Sequence, residues 1–84
     1  METRVAVIAI VIENADAVEQ VNELLHAARD YIIGRMGIPY KARNINLISL
    51  AVDAPQPFIS GLSGKLGQIP GVSAKTAYSN ITSE

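Results

Sequence analysis

Val5-Ala6-Val7-Ile8-Ala9-Ile10-Val11-Ile12 is an unbroken apolar run, mostly β-branched, so it predicts a strand rather than a helix. The pattern then changes period. Val18, Val21, Leu25 and Ala28 recur at helical spacing, with Leu24 widening the stripe, while Glu19, Gln20, Asn22 and Glu23 fall on the opposite face. Asn14 or Asp16 caps this helix, and Asp16 with Glu19 three residues on has the spacing of a capping box. Tyr31 to Ile38 predicts a second strand, interrupted by Gly34 and Gly37. Pro39 to Asn44 is a polar connector short enough for a hairpin, and Ile45 to Val52 is the third strand. Asp53 is placed to cap a second helix, with Pro55 in its first turn and Phe58, Ile59, Leu62 and Leu66 as its buried stripe. Gly67 is positioned to take the left-handed conformation that ends a helix, and Pro70 keeps that helix from resuming. Val72 to Ser79 is the fourth strand.

The order is β-α-β-β-α-β, which predicts an α+β ferredoxin-like sandwich: a four-stranded antiparallel sheet with two helices on one face. One domain is expected over residues 1–79, with 80–84 as a frayed tail. In that architecture the other sheet face is open, and a first strand facing water on one side should alternate apolar with polar. It does not: Val5, Val7, Ala9 and Val11 lie on one face, and Ala6, Ile8, Ile10 and Ile12 on the other. The third strand is nearly as apolar on both sides, broken by Asn46 and Ser49. Burial of the open face by another subunit is the expectation, in a homo-oligomer of two or four chains; the alternative is a surface for a different protein.

Composition reinforces this. Of 84 residues 49% are hydrophobic, more than so small a core requires. A net charge of −1, with basic residues scattered and only Lys41 and Arg43 close together, gives no electrostatic case for nucleic acid or an anionic membrane. Tyr31, Tyr40 and Tyr78 stand singly at element ends and form no stacking platform. The absence of cysteine excludes disulfides, thiolate chemistry, iron–sulfur ligation and Cys-type zinc sites. Val5 to Ile12 is too short to span a bilayer and has no signal-peptide flanks, so a cytoplasmic setting is the expectation.

Candidate chemistry is sparse. His26, the single histidine, has no second ligand one helical turn away, so no metal is expected there. Gly34-Arg35-Met36-Gly37 is the most unusual stretch of strand: missing side chains leave room for a ligand or a neighbouring backbone, and Arg35 supplies an anion-binding fork. Arg35 in solvent on a bulged strand is the plainer alternative. Asn14-Ala15-Asp16 forms the turn into the first helix, where backbone N–H groups can meet an anion, although the turn lacks the glycines of a phosphate loop. Gly61 and Gly64, with Ser60 and Ser63, give the second helix a small-residue face suited to close packing on the sheet or on another helix. No histidine–carboxylate–serine set or working carboxylate pair is present, and Glu13 to Asp16 is acidic where an acylphosphatase-like loop of the same fold would need an arginine. An enzyme is not expected, nor a cofactor.

Val21-Asn22-Glu23-Leu24-Leu25-His26, Tyr31 through Tyr40, Val52-Asp53-Ala54-Pro55, Gly64 through Gly67, Pro70-Gly71-Val72 and Lys75 through Tyr78 together resemble a small family of regulators associated with the iron-only hydrogenase system. That family is similar to the ACT-like domains and to the C-terminal domain of the nickel-responsive repressor. The resemblance implies a βαββαβ domain that assembles into dimers or tetramers and has a regulatory role. It implies a small effector near the turn after the first strand, at a subunit interface. The nickel site does not carry over, because the repressor's His-x-His pair and cysteine have no counterparts around Gly34 to Gly37 and Ile45. The chain starts directly with the sensor's first strand, so any effect on transcription is expected to pass through a partner. Asn14, Gly34, Arg35 and Gly37 are the candidate effector contacts, and a ligand-free assembly module docking a hydrogenase-maturation partner is the alternative function.

Overall fold

The computed structural model describes residues 2–83, and its elements are β1 (Thr3–Ile12), α1 (Val18–Ala27), β2 (Ile32–Tyr40), β3 (Ile45–Ala54), α2 (Gln56–Gln68) and β4 (Val72–Ser83). The four strands form one antiparallel sheet in the order β2-β3-β1-β4. β1 and β2 are therefore parallel to each other with β3 between them, and β3 and β4 are parallel with β1 between them. Each such pair needs a crossover, and α1 and α2 supply them. This is the ferredoxin-like fold expected from the element order.

The core lies between the helices and one sheet face. Ala6, Ile8, Ile10 and Ile12 of β1 are buried, as are Ile48, Leu50, Val52 and Ala54 of β3; Val21 and Leu25 of α1 and Ile59, Leu62 and Leu66 of α2 close over them. Burying each large aliphatic side chain stabilises the fold by about 1.5–3 kcal/mol. No buried residue is polar or charged among those described.

Several local expectations are corrected. Asn14 caps the first helical segment, its Oδ1 accepting from the N–H of Asp16 at 3.0 Å, but a 3-10 turn over Ala15–Ala17 precedes α1 and no capping box forms. Asp53 does not cap α2: β3 continues two residues beyond Val52, and Pro55 takes the cap position. Gly67 is helical, and the left-handed residue is Gly71, at φ +82°. α2 therefore runs to Gln68, and the chain turns at Pro70-Gly71. β2 keeps pairing through Tyr40, so the connector shrinks to a 3-10 turn over Lys41–Arg43 and a left-handed Asn44. β4 runs on through Ser83, where extended backbone pairs with Arg4 and Thr3 in place of the expected frayed tail; Glu84 lies outside the described residues. Gly61 and Gly64 face open space, with nothing within 4 Å of an added β-carbon, while Ser60 on the same helix reaches the sheet, its Oγ 3.4 Å from the Tyr78 hydroxyl of β4.

Candidate functional site

β2 is the strand that the rest of the fold covers least. It is an edge strand, paired only with β3, and every residue from Ile33 to Tyr40 is exposed. Pro39 lies near its end, where a missing N–H is tolerated on a free edge. An irregularity between Ile32 and Gly34 shifts the register and sets the side-chain alternation of the remaining strand. Arg35, Gly37 and Pro39 pair with Leu50, Ile48 and Asn46 and so belong to the helix side of the sheet. Gly34, Met36, Ile38 and Tyr40 pair with Ala51, Ser49, Leu47 and Ile45 and belong to the open side.

On the helix side, α1 stands off from β2 and leaves a cleft of about 230 Å³, bordered by Val18, Asn22, Arg35, Gly37, Pro39 and Asn46. Arg35 bridges it, donating from Nη2 to the side-chain oxygen of Asn22 at 2.7 Å. Its partner is neutral, so the guanidinium charge is not cancelled by that contact and most of its donors remain available. The floor has no side chain at Gly37, where nothing lies within 4 Å of an added β-carbon. A second depression of about 240 Å³ shares Pro39 and Asn46 with the first and extends to Ala15, in the turn beside Asn14. The outer face of α1 beside the cleft carries Glu19, Glu23 and His26, with Asp16 in the 3-10 turn before it.

Of the four candidate contacts, the fold brings Arg35 and Gly37 to one cleft. Gly34 lies on the opposite face of the same strand, where Ala51 Cβ is the nearest atom to an added β-carbon, at 3.9 Å. Asn14 serves the 3-10 turn and packs against Gly71. Asn22 and Asn46 complete the polar rim and were not singled out from sequence. Asn22 reads there as one more residue on the wet face of a helix, and only the standoff between α1 and β2 gives it a role. No group of three or more His, Cys, Asp or Glu able to hold a metal occurs among the described residues.

The open side of the sheet is the second feature. Ile38, Leu47 and Val11 form one row across β2, β3 and β1, while Ala51, Val7 and Ala77 form another across β3, β1 and β4. Val7 is 42% exposed and Met36 59%, although both lie in a regular sheet. The double apolar character of β1 thus places one set of side chains in the core and the other on an uncovered face. No helix among the described residues is long and apolar enough to cross a membrane.

A four-stranded antiparallel sheet with two crossover helices and a cleft at its free edge defines a small ferredoxin-like domain. The family model TM1266-like, described as "Iron-only hydrogenase system regulator, putative", matches residues 4–76, and the chain belongs to that family. Among solved structures it is similar to the uncharacterized protein TM1266 from Thermotoga maritima, with 40% identity, a TM-score of 0.87, and coverage of 90% of this chain and 96% of that one. It is also similar to a formyltetrahydrofolate deformylase from Pseudomonas putida KT2440, at 13% identity and a TM-score of 0.67 over 92% of this chain and 29% of that one, a likeness of fold alone. No curated protein matches significantly.

Proposed function

We infer that the protein is a non-catalytic, ACT-like regulatory domain that works as a homo-oligomer and responds to a small effector held at a subunit boundary. Membership of a family of hydrogenase-system regulators supports the regulatory part. The observation that carries the rest is the position of β2. Its helix side lines the Arg35–Asn22 cleft, and its open side contributes Gly34, Met36, Ile38 and Tyr40 to the apolar sheet face. One lightly supported strand borders both surfaces, so an effector that orders it changes the face offered to a neighbouring chain.

The effector suited to this cleft is anionic and small. Arg35 meets a carboxylate or phosphate with two parallel N–H donors, and Val18 and Pro39 flank an apolar body. Native mass spectrometry of gently purified protein tests the reading: an oligomer carrying extra mass is expected, with that mass lost from the Arg35→Ala variant. Wild-type protein and variant carrying the same mass would count against Arg35 as an effector contact. A bare oligomer in both would favour an assembly module whose sheet face docks a hydrogenase-maturation protein, which the uncovered apolar face also suits.

A further inference from the structure

Within the four strands, the open sheet face carries two charged side chains, Asp53 on β3 and Lys75 on β4. Glu13, Lys41 and Arg43 lie beyond the strand ends. Asp53 is aligned with Val5 and Lys75 with Ala9, so Val7 on the intervening strand stands midway between them. Strand and residue spacings put the two roughly 16 Å apart, too far to pair within one chain. Asp53 meanwhile has a side-chain oxygen, Oδ1, that is buried and without a hydrogen-bond partner among the described residues. That oxygen is covered by its own chain, so a donor from another copy meets the other oxygen of the half-buried Asp53 carboxylate.

One acid and one base placed symmetrically about a central valine, on a face otherwise free of charge, make a self-complementary pattern. Two copies stacked face to face are related by a two-fold axis lying between the sheets. An axis passing over Val7, perpendicular to the line from Asp53 to Lys75, sets Asp53 of each copy opposite Lys75 of the other and Val7 against Val7. The strands of the two sheets then cross steeply, nearer the orthogonal than the aligned class of sheet packing. Stacked sheets lie about 10 Å apart, within the combined reach of an extended lysine and an aspartate facing it.

We propose that the open face binds a second copy of this chain in that arrangement, with two reciprocal Asp53–Lys75 ion pairs fixing the register of an otherwise greasy and unspecific contact. The proposal rests on the reading above that another copy covers this face, and adds which residues choose it. Charges at an interface act chiefly by excluding wrong alignments, because a like-charge pair is strongly disfavoured.

The test uses two full-length variants, Asp53→Lys and Lys75→Glu, each checked for native far-UV circular dichroism and studied by sedimentation velocity alone and in equimolar mixture. Alone, each variant faces like charges at both contacts, and dimer dissociation is expected to rise at least ten-fold over wild type. Mixed, each lysine meets a carboxylate, and the heterodimer is expected to recover wild-type affinity and to dominate in native mass spectra. Variants that associate as wild type does, or a mixture that stays dissociated, would overturn the ion pairs while leaving the dimer standing. A wild-type monomer would instead remove the reading beneath them, and a wild-type protein that associates only with a different protein would do the same.

Discussion

Gly71 packs directly on Asn14: a β-carbon at position 71 would stand 2.5 Å from Cβ of Asn14 and 3.3 Å from its backbone nitrogen. The backbone N–H of Glu13 donates to the Gly71 carbonyl at 2.7 Å, fastening the end of β1 to the start of β4. Gly71 also has φ +82°, a region that L side chains seldom enter. Two independent requirements therefore converge on glycine. Gly71→Ala is expected to destabilise by more than about 1 kcal/mol, read as a lowered urea midpoint. Asn14→Gly relieves the clash but not the φ, so it should rescue the variant only in part.

The hairpin turn makes the opposite demand. Asn44 is left-handed at φ +53°, a conformation asparagine tolerates better than most residues. Asn44→Gly should match or exceed wild-type stability, whereas Asn44→Val should lose roughly 1–2 kcal/mol. Thermal melts of the two variants side by side check the difference.

Much of the architecture was legible in the apolar periods. The Val5–Ile12 run and the stripe at Val21 and Leu25 led to the correct element order, because burial of those side chains dominates the energetics. The misplacements share a cause. Asp53 and Gly67 each look like punctuation in isolation, but pairing with β1 carries β3 past Asp53, and packing of Leu66 carries α2 past Gly67. Local propensity of a few tenths to one kcal/mol yields to such tertiary contacts. The Arg35 fork was visible in sequence, but its partner Asn22 was not, because the distance between α1 and β2 has no sequence signature.

Arg4 stacks on Tyr78, with its guanidinium carbon 4.5 Å from the ring centroid, and donates from Nη2 to the Ser79 carbonyl at 2.8 Å. This ties β1 to β4 beside a register shift. A double-mutant cycle with Arg4→Met and Tyr78→Leu should give a coupling of about 0.5–2 kcal/mol. Denaturant titration of the four proteins measures it, and additivity would mean the stacking contributes nothing.

At the cleft, Arg35 and Asn22 are both exposed, so Arg35→Ala should change stability by no more than about 0.5 kcal/mol. The effect belongs to binding. Arg35→Lys keeps the charge but not the planar fork, and should also lose the retained effector. Thermal melts run beside native mass spectra separate the two outcomes: retention by the lysine variant would reduce the role of Arg35 to charge alone.

Val7, at the centre of the open sheet face, tests whether that face is covered by another chain. Val7→Glu leaves the helix-side core untouched, because Ala6 and Ile8 point the other way. It should keep native far-UV circular dichroism while shifting the protein to smaller assemblies in gel filtration with light scattering, since a buried carboxylate without a partner is strongly disfavoured.

The most direct measurement is sedimentation equilibrium on the wild-type protein across a concentration range at near-physiological salt. A mass of two or four chains that persists on dilution is the expected result, placing the apolar face of β1 and β3 inside an assembly. A single chain at every concentration would contradict it, leaving Val5, Val7 and Met36 in water and the boundary at β2 without a second subunit.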